Sequence, residues 1–307
     1  MRALGPAVAW VAAVGVLALV PALGSRYLMD LSIEVMIYAL FALSLNILIG
    51  YAGNVSFGHA AYFAIGGYGS AILLTTCQWP LWLALPAAVA LTALAALAVG
   101  YFCVRLSAIY FAMLTLAFGM LVWSAAFKWR SVTGGDDGFL GIALPGYLEQ
   151  RWAFFYFTLA VVGASVALIR MICRSPFGRV LLAVRDNPLR AGFVGVDATR
   201  MRLLAFVFAG TFAGVAGSLF ALYHRAIFSE SAFWTESAQV LVMVLLGGAY
   251  SFLGPVLGAA VLHLLEVVIN QHTEHWPLLL GLTLILLLLF LPDGLAGLLR
   301  RRNRRSG

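Results

Sequence analysis

Long apolar runs separated by short polar joints set the pattern of this chain. A helix that crosses a bilayer needs about 20 predominantly apolar residues, and each of seven runs approaches or exceeds that length. The runs cover residues 7–23, 31–49, 81–104, 106–127, 153–169, 203–223 and 277–291. Each run predicts a membrane-spanning helix, so we expect an all-α polytopic membrane protein. Gly210, Gly214 and Gly217 fall in the sixth run at a spacing that predicts a close contact with another helix.

Positive charge is concentrated in two segments. Residues 170–202 hold seven arginines and two aspartates, and residues 293–307 hold five arginines and one aspartate. Basic residues that flank membrane spans mark the cytoplasmic side, so both segments and the N-terminus beside Arg2 are predicted to be cytoplasmic. Residues 1–307 then form one transmembrane domain with a cytoplasmic loop and a basic cytoplasmic tail. The apolar run that follows residues 1–24 favours a retained span there over a cleaved signal peptide.

Two further apolar stretches, 55–76 and 238–265, are interrupted by glycines, and the second also contains Gly254-Pro255. Two uninterrupted spans, 203–223 and 277–291, separate the basic loop from the basic tail. Because both basic segments are predicted on the cytoplasmic side, 238–265 must add an even number of crossings. As a helix it would be about 42 Å long, too short for two passes, so it is predicted to enter from outside and return. The same count makes 55–76 a full crossing and gives about eight transmembrane helices and one Gly-rich re-entrant segment. The outer loops that follow from this count are 24–30, 128–152, 224–237 and 266–276.

Several classes of function are excluded by what the residues lack. Cys77, Cys103 and Cys173 lie far apart, in no spacing typical of a disulfide framework, a zinc site or a redox pair. The single lysine, Lys128, precedes a tryptophan, so no phosphate-binding loop of the G-x-x-x-x-G-K-[ST] kind is present. A nucleic-acid interface needs a basic face on a folded surface, whereas this chain is 63% hydrophobic and 10% charged. We therefore expect no enzyme activity, no cofactor or metal bound by this chain, and no nucleic-acid partner.

Two other classes of membrane protein compete with a transport subunit. Ser56 and His59 share a helical face, as in an intramembrane serine protease, but no oxyanion donors are identifiable beside them. A stand-alone secondary carrier commonly places ionisable groups at mid-membrane to couple an ion. Of the acidic residues, Glu34 lies near one end of 31–49 and Glu266 lies just past 238–265, so neither is at mid-membrane. Both carboxylates are expected to extend to the membrane interface.

Residues 174–197 predict two short helices in the basic loop. Ser175 is a favoured N-cap and Pro176 suits the first helical position. The first helix is expected to run to Asn187, where Pro188 ends it.

A second short helix is expected over 188–194, stopped by Gly195 in the left-handed conformation. The apolar side chains of the first helix fall on one face: Phe177, Val180, Leu181 and Val184. An amphipathic helix on anionic membrane lipid and a rigid element presented to a cytoplasmic partner both fit this pattern. The two defined ends specify a rigid shape, which lipid binding does not require.

Polar side chains stand out inside two of the apolar stretches. Polar groups in hydrocarbon usually face the protein interior, where they form interhelical hydrogen bonds or line a path. The candidates for a translocation pathway are Asn46, Asn54, Ser56, His59 and Tyr62.

The outer loop 128–152 contains T-G-G-D-D-G, which predicts a turn. Gly134 and Gly135 allow positive φ there, and Asp136 and Asp137 carry adjacent carboxylates. The alternatives are that the two carboxylates form a salt bridge with an incoming binding protein or that they gate the outer mouth without calcium.

Seven segments of the chain carry a family resemblance. They are A-L-S-L-N-I-L-I-G-Y-A-G-N-V-S-F-G-H-A-A at 42–61, Y-F-A-M-L-T-L-A-F at 110–118, T-G-G-D-D-G at 133–138, S-P-F-G-R-V-L-L-A-V-R-D-N at 175–187, A-G-F-V-G-V at 191–196, L-L-G-G-A-Y-S-F-L-G-P-V-L-G-A at 245–259 and L-P-D-G-L at 291–295. Together these segments resemble LivM-type permeases, the membrane subunits of ABC importers for branched-chain amino acids. Arg190, Gly192 and Phe193 depart from the common coupling pattern of ABC permeases.

The resemblance implies a bacterial inner-membrane complex. Its other members are a second, LivH-type permease subunit, two cytoplasmic ATPase subunits that use ATP, and a periplasmic solute-binding protein. It also implies that the basic loop 170–202 couples to the ATPases through Ser175, Pro176, Phe177, Gly178, Arg179, Arg185, Asp186, Asn187 and Gly195. The implied cargo is leucine, isoleucine or valine. Urea, a short amide or another small acid, carried by the same type of permease, is the alternative.

Overall fold

The computed structural model describes residues 18–270 without a gap, together with Gly15, Leu278, Gly281, Ile285 and residues 294–297. Most of the predicted spans over 7–23 and 277–291, and most of the basic tail over 293–307, lie outside the described residues. Between residues 18 and 270 most of the chain is helical.

Ten α-helices of six or more residues lie between residues 18 and 270. They are α1 (Arg26–Asn46), α2 (His59–Thr75), α3 (Leu81–Cys103), α4 (Ala108–Lys128), α5 (Arg151–Arg174), α6 (Pro176–Asp186), α7 (Pro188–Phe193), α8 (Ala198–His224), α9 (Trp234–Gly247) and α10 (Gly254–Asn270). Within this range, five helical segments are long and apolar enough to cross a membrane: α3, α4, α5, α8, and α1 with its continuation to Ala52. Helices α9 and α10 are apolar but shorter. The prediction of an all-α polytopic protein is confirmed.

Helix α1 lies at the centre of the bundle. It packs against α5, α8, α9 and α10, and most of its residues from Ile33 onward are buried. Near its start, α1 is joined to the first turn of α5 by an ion pair of 2.6 Å between Asp30 and Arg151. Its other end contacts α6 in the arginine-rich segment 174–197. We call the end of the bundle that carries this segment the basic end.

Small residues allow α2, α3 and α8 to pack closely. A Cβ atom added at Gly210 would lie 2.6 Å from the Cβ of Ala96, and one at Gly214 would lie 2.7 Å from Thr92 Oγ1. A Cβ at Gly217 would overlap the backbone of Phe63. The predicted close contact is therefore confirmed, and it is two-sided, with α2 and α3 both touching α8. The buried positions of α3 recur about every fourth residue: Leu81, Ala84, Ala88, Thr92, Ala96, Gly100 and Cys103.

Helices α9 and α10 form an antiparallel hairpin. The chain breaks at Gly248, whose φ is +102°, and the second helix starts at Gly254, as the glycines and Gly254-Pro255 predict. A Cβ at Gly258 would lie 2.8 Å from the backbone nitrogen of Gly247, so the two helices meet through glycine. The break is confirmed, and its position relative to a bilayer stays a prediction.

Three expectations about the connections need correction. The stretch 55–76 is helical only from His59, because residues 53–58 first reverse the direction of the chain. The loop 128–152 contributes β1 (Phe139–Leu140), which pairs in antiparallel fashion with β2 (Ala226–Ile227) from the loop 224–237. The latter loop then folds back into the bundle, where Ser229 and Ala232 are buried, and α9 already begins at Trp234.

Candidate functional site

The chain reverses direction inside the bundle between α1 and α2. Helix α1 ends in a π-helical turn, Ile47–Ala52, which Gly53 closes with a φ of +74°. The amide of Asn54 then donates to the carbonyl of Leu48 at 3.0 Å. Single π-helical turns occur often at functional sites. This one lies between two of the predicted pathway residues, Asn46 and Asn54.

The first turn of α2 begins among other helices rather than in solvent. A helix leaves its first four N–H groups without partners of its own, and side chains from distant parts of the chain bind two backbone N–H groups here. The amide of Ala60 donates to Ser237 of α9 at 2.9 Å, and the amide of Phe57 donates to Thr115 of α4 at 3.3 Å. Three helices, α2, α4 and α9, therefore meet at the start of α2.

His59 is fully buried at this meeting point. Its Nε2 lies 2.8 Å from the hydroxyl of Ser44, and its ring stacks on Phe41 at 5.5 Å between centroids. Because the Ser44 hydroxyl donates to the carbonyl of Phe41 at 2.7 Å, it accepts from Nε2, and Nδ1 is left as a bare acceptor. The ring of Tyr62 approaches His59 edge-on at 6.1 Å.

The predicted pathway residues are buried, with at most 6% of any of them exposed: Asn46, Asn54, Ser56, His59 and Tyr62. Three of them carry a buried polar atom that has no hydrogen-bond partner among the described residues: Asn46 Oδ1, Ser56 Oγ and His59 Nδ1. Buried polar atoms without partners are uncommon, and each leaves capacity for a water molecule or a solute. Since neither Ser56 Oγ nor His59 Nδ1 is bonded, the nucleophile–base pair that a serine protease needs is not formed.

Segments of the family resemblance that lie far apart in sequence converge at the basic end. The backbone of Gly50 lies against the carbonyl of Ala249, and Gly294 lies against Gly248. The hairpin turn between α9 and α10 is thus packed against the π-helical turn on one side and the segment 294–297 on the other. Arg185 of α6 reaches the same place.

Arg185 points into the bundle although it belongs to the basic loop. Its guanidinium donates to the carbonyl of Gly50 and lies 5.4 Å from the ring centroid of Tyr250. Its Cγ occupies the space beside Gly53, where an added Cβ would be 2.6 Å away. It also forms an ion pair of 3.1 Å with its neighbour Asp186.

The first helix of the basic loop forms as predicted, with one difference at its start. Helix α6 runs from Pro176 to Asp186. Ser175 occupies the N-cap position, but its hydroxyl donates back to the carbonyl of Ile172 at 2.7 Å and does not cap the helix. Gly178 is buried against Cys173 of α5, whose backbone an added Cβ would overlap. Of the predicted apolar face, Leu181 and Val184 are fully buried.

The second helix of the loop, α7, is capped at both ends. Asn187 Oδ1 accepts from the amide of Arg190 at 3.0 Å, and Gly195 ends the element with a φ of +85°. Both helices of the loop are therefore confirmed. Three large apolar side chains project from this part of the loop, with 76% of Leu189, 90% of Phe193 and 79% of Val194 exposed. The side chains of Arg179 and Asp186 are also exposed.

At the other end of the bundle, T-G-G-D-D-G forms the predicted turn. Gly134 and Gly135 have φ values of +78° and +65°, and Asp136 and Asp137 are exposed. The turn leads directly into β1.

A buried acid–histidine cluster was missed by sequence analysis. His263 of α10 donates from Nε2 to Glu34 of α1 at 2.7 Å, and its Nδ1 lies 3.6 Å from Glu266. Gln239 of α9 donates to Glu266 at 3.3 Å, and His224 of α8 lies 3.7 Å from Glu34. Glu34 and Glu266 both turn toward His263, so each carboxylate has a partner within the protein, and their extension to the membrane interface stays a prediction. An ionisable residue inside an apolar helix indicates a candidate functional site. His263, which lies in the apolar stretch 238–265, could have been recognised in the sequence on that ground.

These features define a helical, multi-pass membrane protein with a broken helical hairpin and a buried polar junction. Residues 27–290 match the family described as the permease component of branched-chain amino acid transport systems. The chain belongs to that family. It is also 30% identical to the high-affinity branched-chain amino acid transport system permease protein LivM of Escherichia coli K12, over 91% of this chain and 72% of that protein.

Two more distant relatives widen the comparison. The LivH permease of E. coli K12, from the same kind of high-affinity branched-chain amino acid transport system, is 25% identical over 85% of this chain and 91% of that protein. The autoinducer 2 import system permease LsrC of Klebsiella pneumoniae is 30% identical over 49% of this chain and 43% of that protein. No solved structure matches the chain. The recognition of a LivM-type permease from sequence motifs is confirmed, and the chain has both LivM and LivH relatives.

Proposed function

We propose that this chain is half of the transmembrane pore of an ATP-driven importer and passes branched-chain amino acids into the cell. Its partner permease is of the LivH type, two ATPase subunits bind and hydrolyse ATP, and a periplasmic protein delivers the solute. The chain itself binds no ATP and no other cofactor. Relatives that act in branched-chain amino acid transport support the cargo.

The observation that carries this proposal is the shape of the loop formed by α6 and α7. Its two helices are packed against α5 and α8, yet Leu189, Phe193 and Val194 are largely exposed. A rigid element with projecting apolar side chains suits a protein groove better than a lipid surface, which needs no fixed shape. We assign this face to the ATPase subunits.

The buried junction around His59 is assigned to the translocation path. Its unpaired atoms, Asn46 Oδ1, Ser56 Oγ and His59 Nδ1, carry no net charge as a set, which suits a solute that carries both a positive and a negative group. In the described conformation the junction is closed, because all three residues are almost fully buried. Urea, a short amide or another small acid is the alternative cargo.

The test is co-purification from the native membrane in mild detergent, followed by uptake assays on the recovered complex. Recovery of a second permease and two ATPases, with ATP-dependent uptake of leucine, isoleucine or valine, is the expected result. Uptake of urea or a short amide in preference to these amino acids would change the assigned cargo but leave the assignment as an ATP-driven importer. Repeated recovery of this chain alone, with uptake that follows an ion gradient, would identify a stand-alone carrier instead.

Replacing His59 with phenylalanine is expected to lower uptake without unfolding the chain. Phenylalanine preserves the stacking on Phe41 and removes both ring nitrogens, so uptake should fall about tenfold if the solute or its water uses them. Thr158→Val is the matched control, because Thr158 is also fully buried with an unpaired hydroxyl. Uptake is measured in vesicles at equal amounts of folded protein. Equal loss in both variants would contradict the assignment of the path.

Replacing Gly178 with valine is expected to uncouple ATP hydrolysis from uptake. A side chain at Gly178 overlaps the backbone of Cys173, so α6 must move away from α5, and uptake per ATP should fall about tenfold. Gly163→Val in α5 is the control, because an added Cβ at Gly163 meets nothing within 4 Å and Gly163 lies outside the loop. Both ratios are measured in reconstituted vesicles. Normal coupling in Gly178→Val would contradict the role of the loop.

The orientation is proposed from charge: a bacterial inner-membrane protein with both termini and the basic loop in the cytoplasm. The tail arginines lie outside the described residues but belong to one of the two basic segments. Changing Arg300, Arg301 and Arg302 to glutamate is expected to disturb the topology of the C-terminal part. Reporter fusions at the C-terminus measure this, and an unchanged cytoplasmic signal would show that these arginines do not set the orientation.

A further inference from the structure

Arg185 connects three segments that the sequence keeps far apart. Its guanidinium donates to Gly50 in the π-helical turn, lies over the ring of Tyr250 in the hairpin turn, and belongs to α6 of the basic loop. We infer that Arg185 is the positioning residue that transmits movement of α6 to the π-helical turn and the hairpin. The inference rests on the proposed function, since it names the route by which the ATPases would act on the pore.

The contacts of Arg185 are specific to an arginine. The side chain is only partly exposed, whereas the neighbouring Asp186 carboxylate that pairs with it is exposed. A planar guanidinium can donate to a carbonyl and to a carboxylate while its face lies against an aromatic ring. A lysine ammonium in the same place can keep one of these contacts but not all three.

The two segments that Arg185 joins, α6 and the π-helical turn, differ in rigidity. Helix α6 is packed tightly against α5 at Gly178 and Cys173, so it moves as a rigid unit. The π-helical turn is irregular backbone that ends at Gly53, where φ is +74°. Because Asn46 immediately precedes that turn and Asn54 immediately follows it, a pull on the carbonyl of Gly50 shifts both ends of the proposed pathway junction.

The hairpin is drawn into the same movement by direct packing. The backbone of Gly50 touches the carbonyl of Ala249, with no side chain between them. At its far end the hairpin is bound to α1 by the hydrogen bond between His263 and Glu34. Movement at Arg185 therefore acts on the free turn of a hairpin that is fixed at its other end.

The experiment uses the complete transporter in vesicles and measures uptake per ATP hydrolysed. For Arg185→Met we expect normal assembly, ATP hydrolysis close to that of the wild type, and uptake per ATP lowered about fivefold. Arg185→Lys should recover part of this ratio, because the ammonium can still donate to the carbonyl of Gly50. Arg200→Met is the matched control: Arg200 is in the same basic loop, is 82% exposed and pairs only locally with Asp197.

The outcomes separate this inference from the proposed function. Failure of the wild-type chain to assemble with ATPases would contradict both. A wild-type ratio in Arg185→Met, or an equal loss in Arg200→Met, would overturn the inference alone. If the Arg185→Met variant does not assemble into the transporter, uptake per ATP in the Tyr250→Leu variant tests the inference instead. The Tyr250 side chain is 80% exposed and so not needed for folding; a loss of about twofold supports the inference, and no loss overturns it.

Discussion

Replacing Gly217 with valine is expected to prevent the chain from accumulating in a folded state. The Cβ of the new side chain would overlap the backbone of Phe63 in α2, and a backbone atom cannot turn away as a side chain can. Helix α8 would have to separate from α2, and the same shift would open its contacts with Thr92 and Ala96 of α3. We expect a loss of about 3 kcal/mol or more in the free energy of unfolding.

The measurement is the fraction of chain that elutes as a single folded species in detergent, followed by its unfolding temperature. Gly163→Val is the control: Gly163 lies within α5, and an added Cβ there meets nothing within 4 Å. Equal accumulation of the two variants would show that α8 and α2 are not held together at Gly217.

Replacing His263 with leucine is expected to be nearly as damaging, for an electrostatic reason. The imidazole lies between the carboxylates of Glu34 and Glu266, at 2.7 Å and 3.6 Å. Without it, two half-buried carboxylates face each other across an apolar side chain. Breaking a buried ionic pair from one side costs about 3–5 kcal/mol, and the loss should fall on the attachment of α10 to α1.

Unfolding of the purified chain in mixed micelles measures this loss. His224→Leu is the comparison, because His224 is more exposed and lies 3.7 Å from Glu34. It should cost much less. The double variant His263→Leu with Glu34→Gln should recover part of the stability, because it removes one of the two facing carboxylates. No recovery would assign the effect of His263→Leu to packing instead of charge.

Local features of the fold could be predicted because they depend on neighbouring residues. The length of each apolar run predicts a spanning helix, Gly254-Pro255 predicts the break between α9 and α10, and Pro188 and Gly195 predict where the loop elements end. Each of these signals acts within a few residues of itself, through backbone geometry or helix length.

The rest depends on contacts between distant residues. Helix α2 starts at His59 and not earlier because its first turn is bound by Ser237 and the preceding amide by Thr115. Glu34 meets His263 from far along the chain, so neither residue alone reveals the pair. The buried polar residues proposed for the pathway could be named from their polarity, but which of their atoms lack a hydrogen-bond partner could not.

Arg179 and Arg185 show the same limit within one helix. Both are charged residues of the same amphipathic element and look equivalent in sequence. Arg179 is exposed and Arg185 reaches the carbonyl of Gly50. Only the placement of α6 against the π-helical turn distinguishes them.

The central position of α1 has a consequence for how the protein is made. Helix α1 leaves the ribosome early, whereas α8, α9 and α10, which pack against it, are synthesised last among the described helices. Until His263 has entered the membrane, the Glu34 carboxylate of the nascent chain has no histidine partner. An unpaired carboxylate in hydrocarbon is unfavourable in free energy. A premature stop before residue 254 should therefore yield a fragment that membrane proteases remove, however well its earlier helices insert. We therefore expect the chain to reach its folded state only after His263 has been synthesised and has met Glu34.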